Sequence, residues 1–305
     1  MTRSPPERSD GSVRRRWSVR GGSVSLDRPV VMGVVNVTPD SFSDGGRHLD
    51  PGDAASRARG LVEQGADLLD VGAESTRPGA EPVPTDEEWR RLEPVLERIT
   101  ELPVPISVDT RRVATARRAL EAGAAIVNDV SGLSSDPALA GLVAETGAGL
   151  VLMHMRGTPR DMQDDTEYDD LVGEVLEALK RSVGRARSAG CSAEQLVVDP
   201  GIGFGKSAGG SLRLLARAGT FSRAGGPVMV GPSRKSFIGE TLGLPLDERV
   251  EATASACVMA LERGARLFRV HDVKAVRRAL DMAAAIRAAD RPAGSREPES
   301  EERSG

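Results

Sequence analysis

Short aliphatic runs that end in a polar residue recur eight times along this chain, and a helix-like stretch usually follows each run. Near-continuous aliphatic runs are typical of parallel strands that are buried on both faces. Because eight such units alternate with helices, the pattern predicts a single-domain α/β fold, the (β/α)8 or TIM barrel, whose working residues come from the carboxyl ends of the strands. The runs are Val30–Val35 ending at Asn36, Leu68–Val71 reaching Glu74, Ile106–Val108 ending at Asp109, Ile126–Val127 ending at Asn128, Leu150–Met153 ending at His154, Leu196–Val198 ending at Asp199, Val228–Val230 reaching Ser233, and Leu267–Phe268 ending at Arg269.

Periodic segments between these runs predict helices, and an alternating segment before the first run predicts a β-hairpin. The segment from Trp17 to Asp27 alternates around a Gly21-Gly22 turn, and we expect this hairpin to plug the bottom of the barrel. Residues 13–290 are predicted as the barrel domain, and residues 1–12 and 291–305 as disordered tails rich in Ser, Pro, Arg and Glu. The predicted helices are 85–99, opened by a capping box from Thr85 to Glu88, a short one from Asp136, and 169–189, 247–263 and 274–289.

Composition and charge narrow the possible functions. The chain has 305 residues, and a barrel of this kind needs roughly 250. Its net charge is −4, with 41 basic and 45 acidic residues and no long basic stripe, which argues against a nucleic-acid partner. No signal peptide is recognisable and no apolar run approaches the roughly 20 residues that span a bilayer, so we expect no membrane partner. Cys191 and Cys257 match no metal-ligand spacing, and a reducing cytoplasm is the expected compartment.

Two predicted loops are unusually long for a compact domain. One runs from Thr38 to about Asp53, and the other runs from Glu74 to Thr85. Loops of this length without secondary structure of their own are commonly lids or binding loops. Both follow early strands of the predicted barrel, so we expect both to overhang the same mouth.

The polar strand ends also form longer motifs that occur in a characteristic order. The motifs are MGVVNVTPDSFSDGG at 32–46, DVGAESTRPGA at 70–80, SVDT at 107–110, ND at 128–129, MHM at 153–155, DPGIGFGK at 199–206, SRKS at 233–236 and RVHD at 269–272. Together they resemble the signatures of the dihydropteroate synthase family over about residues 30 to 285. The resemblance covers every predicted strand end, so it includes the whole predicted mouth.

The resemblance implies a specific reaction and a specific set of ligands. Members of this family join 6-hydroxymethyl-7,8-dihydropterin diphosphate to 4-aminobenzoate, release diphosphate and form 7,8-dihydropteroate, a step of folate synthesis. The resemblance therefore implies a transferase with small-molecule substrates, a Mg²⁺ cofactor and a homodimeric assembly.

Buried acids and amides at strand ends suit a pterin, because its edge carries several N–H donors and an unpaired buried donor costs about 1–3 kcal/mol. Lys235 can donate to a pterin carbonyl or ring nitrogen. A helix N-cap is the alternative role for a strand-end Asp or Asn. The family's pterin site matches this sequence at Asp109, Asn128, Met153, Asp199, Phe204 and Lys235.

Cations near the last strand suit a diphosphate group. Arg269 and His271 are two residues apart on that strand, so their side chains are predicted to point the same way, and a guanidinium suits bidentate phosphate contacts. The resemblance implies that the diphosphate is held by Asn36, Thr76, Arg269 and His271, and that Asn36 also reaches the metal ion. It places 4-aminobenzoate against Thr76, Arg77, Pro78, Phe204 and Ser236, with Asp40 and Phe42 in loop closure. The implied catalytic residues are Asp109, Asp199, Lys235, Arg269 and His271.

Two other functions fit part of the pattern. One is a non-catalytic pterin-binding paralogue, which is expected to lose residues of the long loops. The other is a pterin-dependent methyltransferase of the same superfamily, acting with a corrinoid partner, which does not need the two long loops or the pair formed by Arg269 and His271. The glycine-rich segment 201–206 does not fit a nucleotide-binding P-loop, because Pro200 stands six positions before Lys206. His154 is expected to be a core histidine.

Overall fold

The computed structural model describes residues 16–38, 50–77 and 79–290, and these residues form a hairpin followed by alternating strands and helices. The predicted tails, residues 1–12 and 291–305, lie outside the described residues. The strands are β1 Arg16–Val19, β2 Gly22–Ser25, β3 Val30–Asn36, β4 Leu68–Gly72, β5 Ile106–Asp109, β6 Ile126–Asp129, β7 Gly149–Met153, β8 Leu196–Asp199, β9 Met229–Val230 and β10 Leu267–Val270. The helices are α1 Pro51–Glu63, α2 Thr85–Ile99, α3 Val113–Glu121, α4 Ala138–Thr146, α5 Leu171–Ser188, α6 Ala208–Ala216, α7 Ser236–Leu242, α8 Val250–Glu262 and α9 Val273–Ala289.

Strands β3 to β10 form one parallel sheet that closes on itself. The hydrogen-bonded order is β8-β7-β6-β5-β4-β3-β10-β9. A parallel bridge between Val198 and Val228, with a hydrogen bond of 3.0 Å from Val198 N to the Pro227 carbonyl, joins the two remaining edges. Every strand after the hairpin is therefore paired on both sides, and the predicted (β/α)8 barrel is confirmed.

Alternate residues along the barrel strands face the interior and the helices in turn, as the two-residue period of a strand requires. The outward residues pack with the helices in one large buried cluster. The inward residues of the lower barrel form a second, smaller cluster with the hairpin. Its strand members are Val30, Met32, Leu68, Ile126, Val151, Val197, Met229 and Leu267. The interior is therefore apolar in its lower part, and its upper part forms the site described below.

The hairpin closes the bottom of the barrel, as predicted. Trp17 is fully buried, and its Nε1–H donates to the Gln195 carbonyl at 2.8 Å, just before β8 begins. The Arg20 backbone N–H donates to the Ala125 carbonyl at 3.1 Å, just before β6. An added Cβ at Gly149, the first residue of β7, would lie 3.0 Å from the Trp17 ring. Glycine at this position therefore lets the Trp17 indole pack against the amino ends of the strands.

The helix predicted over 85–99 matches α2, but the capping box predicted at its start is wrong. Pro84 is the N-cap residue, and no side chain caps the helix there. The Glu88 carboxylate is fully buried and instead accepts hydrogen bonds from the Thr110 and Thr115 hydroxyls at 2.8 and 2.7 Å. Glu88 therefore serves a tertiary contact rather than the helix end. Among the described helices, none has the length and apolar content needed to cross a membrane.

Candidate active site

The strand register places most predicted site residues around one mouth at the carboxyl ends of the strands. Asn36 pairs with Gly72, Gly72 with Asp109, and Asp109 with Asn128, so these positions form a continuous row across four strands. On the opposite side, Met153 pairs with Asp199. An added Cβ at Gly72 would lie 3.2 Å from the Asp109 Cβ, so the glycine leaves room beside that carboxylate.

A buried network of acids and one arginine lies at the centre of the mouth. The Arg269 Nε donates to an Asp70 oxygen at 2.6 Å, and an Arg269 Nη donates to an Asp109 oxygen at 2.8 Å. Asp70 also accepts hydrogen bonds from Asn128 Nδ2 at 3.0 Å and from the Ser107 hydroxyl at 2.6 Å. The sequence-based expectation did not assign Asp70 a role, although this residue is fully buried and connects three other polar groups.

The position of Arg269 differs from the simple separation of acids and cations that a phosphate site suggests. Its guanidinium lies between two carboxylates, because buried negative charges need a compensating positive group to offset their desolvation. The side chain is still one-fifth exposed, so it also faces the opening of the mouth. Its contact with diphosphate remains a prediction.

Burial moves several pKa values in the mouth toward neutrality. Burial raises the pKa of Asp109 to about 7; the positive charge of Arg269 opposes this shift, and the negative charge of Asp70 adds to it. Burial also raises the pKa of Asp199, with Lys235 opposing. For Lys235, burial lowers the pKa to about 7, and Asp199 opposes that shift. The charge states of Asp109, Asp199 and Lys235 in the mouth therefore depend on the charged groups around them.

Phe204 and Lys235 form one wall of the mouth. The Lys235 Nζ lies 4.3 Å from the centre of the Phe204 ring and donates to the Ile202 carbonyl. Gly203 has a φ of +79°, and an added Cβ there would lie 3.1 Å from the Lys235 Cδ. The glycine-rich segment therefore allows the β8–α6 loop to turn tightly under the lysine, as expected for a loop that brings Phe204 to the mouth.

Helix capping does not explain the acids and the amide at the strand ends. The N-cap residues of α3, α4 and α6 are Arg112, Pro137 and Ser207, respectively. Asp199 instead accepts a hydrogen bond of 2.7 Å from the Gly201 backbone N–H, which shapes its own loop. The side chains of Asp109, Asn128 and Asp199 are therefore available to the mouth rather than committed to helix ends.

His271 and Ser236 flank the mouth on the side of β9 and β10. The His271 Nδ1 lies 3.0 Å from the Ser233 Oγ, which also accepts a hydrogen bond from the His271 backbone N–H. Burial, and then the positive charge of Arg269, lower the pKa of His271 to about 3. His271 is therefore a neutral imidazole with one N–H to donate. Ser236 is exposed at the first residue of α7.

The loop between β4 and α2 extends over the mouth. Thr76 is half-buried and lines a small cavity together with Asp109, Val130 and Pro159. The Gly79 backbone N–H donates to the Pro159 carbonyl at 3.0 Å, which ties this loop to the β7–α5 loop. Arg77 is exposed. The predicted site residues Asp40, Phe42 and Pro78 lie outside the described residues.

A third long loop, from His154 to Asp170 between β7 and α5, was not predicted as part of the site. It contacts the β8–α6 loop, here called the Phe204 loop, through two hydrogen bonds. Gln163 Nε2 donates to the Gly203 carbonyl at 2.9 Å, and the Tyr168 hydroxyl donates to the Gly205 carbonyl at 2.8 Å. Met162 packs in a buried cluster with Met153 and Phe204. The signal in the sequence was a long polar stretch without apolar periodicity between two clear elements.

Comparison with known proteins identifies the family. The family model described as pterin binding enzyme matches residues 32–271. A dihydropteroate synthase of Synechocystis is 45% identical over 261 residues, covering 85% of this chain and 90% of that protein. The chain belongs to the dihydropteroate synthase family. A solved structure of the Xanthomonas albilineans dihydropteroate synthase with 4-aminobenzoic acid has a TM-score of 0.84 at 44% identity, covering 90% of this chain and 98% of the other. Another structure of that enzyme, in complex with 7,8-dihydropteroate, has a TM-score of 0.80 at 42% identity and covers 90% and 99% of the two chains.

The Asn36 amide oxygen fits the Mg²⁺ ion that membership of the dihydropteroate synthase family implies. No cluster of three or more His, Cys, Asp or Glu side chains able to hold a metal exists within residues 16–38, 50–77 and 79–290. Mg²⁺ usually keeps several waters and takes only one or two protein oxygens together with substrate phosphate oxygens. The half-buried amide of Asn36, at the end of β3, suits such a sparse site when a diphosphate is present.

A wider cavity of about 710 Å³ lies between the β7–α5 loop and α5. Of the predicted site residues of this dihydropteroate synthase family member, only Met153 lines it. Its other walls include His154, Arg156 and Arg181. Size alone does not decide the assignment, because the buried acids, the amide and the lysine converge in the mouth instead. His154 has a polar partner as a core histidine would, since its Nδ1 lies 2.8 Å from the Lys206 Nζ.

Proposed function

We propose that this chain joins 6-hydroxymethyl-7,8-dihydropterin diphosphate to 4-aminobenzoate, with release of diphosphate and formation of 7,8-dihydropteroate. The observation that carries the proposal is the convergence of Asp70, Asp109, Asn128 and Arg269 on one hydrogen-bonded network at the carboxyl ends of the strands. Family membership supports the same activity. The chain is therefore a transferase of a dihydropterinylmethyl group.

The pterin fits the deep part of the mouth because its polar edge and its flat face need different partners. Asp109, Asn128 and Asp199 are all less than a tenth exposed, and their oxygens accept hydrogen bonds from ring and amino N–H groups. Lys235 donates to the pterin carbonyl or a ring nitrogen. Met153 and Phe204, both buried, pack on the ring faces.

The diphosphate is assigned to the side of the mouth that carries Arg269 and His271. Arg269 and His271 lie on consecutive inward positions of β10 and the residue that follows it, so both can donate to phosphate oxygens. Asn36 and Thr76 complete the contacts to this group. A bound Mg²⁺, held by the Asn36 amide and phosphate oxygens, would supply positive charge that stabilises the departing diphosphate.

The bond to the diphosphate breaks before or as the new bond forms. The C–O bond to the leaving group is cleaved with its electron pair going to diphosphate, and the amine lone pair of 4-aminobenzoate forms the C–N bond. The cation-like pterin is stabilised by the carboxylates of Asp109 and Asp199, and the charge on the leaving group by Arg269 and His271. After attack, the extra proton on the amine nitrogen passes to water or to the departing diphosphate, and no strong general base is needed because the amine is already nucleophilic.

The 4-aminobenzoate fits the outer part of the mouth. We assign Thr76, Arg77, Phe204 and Ser236 to this part of the mouth, and family resemblance adds Pro78, Asp40 and Phe42. Loops that cover a mouth in this way exclude water from a reactive cation. The presence of this loop and of Arg269 favours the synthase over a corrinoid-dependent methyltransferase or a non-catalytic paralogue.

We also propose that the protein is a cytoplasmic homodimer. Large apolar side chains that are at least two-fifths exposed occur only from α6 to α9 within the described residues, at Leu212, Leu242, Leu246, Met259, Met282 and Ile286. Exposed apolar side chains concentrated in one region of a surface are typical of a protein interface. Both cysteines are free thiols, which suits a reducing compartment. A sedimentation mass of a single chain would contradict the dimer.

Replacing Lys235 tests the proposed function. We expect Lys235→Ala to lower turnover by about 10³-fold or more, because it removes a preorganised donor from the mouth, while the barrel stays folded. Diphosphate release, measured with and without 4-aminobenzoate, reports the activity and also separates the synthase from both alternatives. The matched control is Lys274→Ala, an exposed lysine on α9. Wild-type turnover in a folded Lys235→Ala protein would disprove the assignment of this pocket.

A further inference from the structure

One arginine outside the mouth holds both ends of the loop between β4 and α2. An Arg112 Nη forms an ion pair of 2.6 Å with Glu74 Oε2 at the start of the loop, where an Arg111 Nη also donates a hydrogen bond of 2.6 Å to Glu74 Oε1. The other Nη donates to the Val83 carbonyl at 2.6 Å, at the end of the loop. A further contact of 2.8 Å reaches Glu88 in the first turns of α2. A single guanidinium therefore connects the beginning of the loop, its end and the helix that follows.

We call the contacts of Arg112 with Glu74, Val83 and Glu88 the Arg112 clamp, and its Glu88 end is buried and fully hydrogen-bonded. Glu88 is fully buried and accepts hydrogen bonds from Thr110 and Thr115 as well as from Arg112. The Arg112 backbone N–H in turn donates to the Thr110 hydroxyl at 3.2 Å. Thr110 directly follows Asp109, so the clamp is built on the same strand end that contributes an acid to the mouth.

The tip of the loop has much weaker support than its ends. Among the residues that the structure describes, its polar contacts with the β7–α5 loop are a backbone hydrogen bond from Gly79 to Pro159 and an exposed ion pair between Glu81 and Arg160 at 3.8 Å. Exposed ion pairs of this kind contribute about 0–1 kcal/mol. The position of Thr76 and Arg77 over the mouth is therefore set chiefly from the two ends.

We propose that Arg112 is a positioning residue for the 4-aminobenzoate half of the site. By fixing the start and the end of the loop at once, it holds Thr76 and Arg77 over the mouth while touching neither substrate. This inference rests on the proposed function, because it takes the loop as part of the 4-aminobenzoate pocket. A lysine cannot replace the arginine, since one ammonium lacks the planar fork that reaches several acceptors together.

The test is the substitution Arg112→Lys, which keeps the positive charge beside Glu74 and Glu88. We expect KM for 4-aminobenzoate to rise by about tenfold, whereas KM for the pterin diphosphate and kcat change by less than about twofold. The control is Arg118→Lys, on the exposed face of α3, where the guanidinium stacks over Trp89 of α2. This variant is expected to leave both KM values unchanged.

Hydrogen–deuterium exchange of segment 73–84 gives a second readout that does not depend on catalysis. We expect faster exchange in Arg112→Lys than in wild type or Arg118→Lys, because an ammonium group cannot keep the contacts with Glu74, Val83 and Glu88 together. An equal rise of both KM values, an unchanged KM for 4-aminobenzoate, or unchanged exchange would overturn the inference. Absence of any 4-aminobenzoate-dependent turnover in the wild type would instead contradict the proposed function, and the exchange measurement would still report on the clamp.

Discussion

The two ends of the barrel interior are built on the same strands but have opposite chemistry. At the amino ends, the inward positions are aliphatic and the hairpin covers them. At the carboxyl ends, two residues further along four of the strands, the inward positions carry an acid, an amide or a cation. The pairs along single strands are Leu68 and Asp70, Ile126 and Asn128, Val197 and Asp199, and Leu267 and Arg269. The backbone geometry is shared, so the side chains alone make one end a stabilising plug and the other a site.

The two ends are expected to contribute to stability with opposite sign. Burying apolar area contributes about 25 cal/mol per Å², and Trp17 is fully buried at the lower end. Burying charges at the upper end costs desolvation energy that ion pairing offsets only in part. Stability gained at the plug therefore compensates for the charged groups that function needs at the mouth.

The largest effect is expected from breaking the plug. Trp17→Ala should lower the free energy of unfolding by about 3–5 kcal/mol, because it leaves a cavity among the lower strands and removes the hydrogen bond to the Gln195 carbonyl. At a temperature where the variant remains folded, its kcat and KM values should match wild type. Chemical denaturation and steady-state kinetics measure the two quantities.

The matched variant Trp17→Phe keeps an aromatic ring but lacks the indole N–H. It should cost less than Trp17→Ala, and the difference reports the packing contribution of the ring. If Trp17→Ala changed kcat as strongly as it changed stability, the two ends of the barrel would not be independent, and the comparison would fail.

A smaller effect on stability, but a larger one on activity, is expected from the mouth. Arg269→Met removes the cation that Asp70 and Asp109 share. At pH 8 it should lower the free energy of unfolding by about 3 kcal/mol, which is the lower limit for breaking a buried ion pair. We take the lower limit because the Arg269 side chain is one-fifth exposed. It should also abolish diphosphate-dependent binding, whereas Trp17→Ala should not. Calorimetric titration with the pterin diphosphate and denaturation at pH 8 measure both.

A second substitution separates charge from packing in this result. In Arg269→Met combined with Asp109→Asn, one of the two unpaired charges is absent, so part of the lost stability should return without any recovery of binding. Equal stability of the single and double variants would show that packing, not charge, dominates at Arg269.

The contrast between the two ends also explains which features could be predicted from the sequence. The barrel, its strand ends and the hairpin plug follow from local apolar runs and from the two-residue period, so they could be predicted. Asp70 was not assigned to the site because it lies inside an apolar run. Only its position two residues after Leu68, which faces the barrel interior, indicates that its side chain also points inward. The capping box at Thr85 failed because the Glu88 carboxylate is held by Thr110 and Thr115, which a local pattern does not reveal.

The placement of Arg269 shows a second limit. Its type and position indicated a phosphate contact, but the distances to Asp70 and Asp109 depend on how three strands converge around the barrel. The β7–α5 loop shows a third limit. Its polar composition suggests only a loop, whereas its bonds to the Phe204 loop and to Gly79 arise from tertiary packing.

A pH-dependent contribution to stability is expected from Asp109 in the mouth. Burial raises the pKa of Asp109 from 3.8 to about 7 in the folded protein. The stability that this group contributes is therefore fully present below pH 3.8 and is lost as the pH rises through about 7. Asp109→Asn removes this titration, so its free energy of unfolding relative to wild type should increase between pH 4 and pH 7 and then level off.

The control for this prediction is Asp53→Asn, which changes the same charge at an exposed position of α1. Its difference from wild type should vary less over the same range, because the burial that acts on Asp109 is absent at this exposed position. Urea denaturation at half-unit pH intervals measures both variants. A relative stability of Asp109→Asn that falls with rising pH would mean that the pairing with Arg269 outweighs burial. In that case the upper end of the barrel, like the lower, would be stabilised by the groups that fill it.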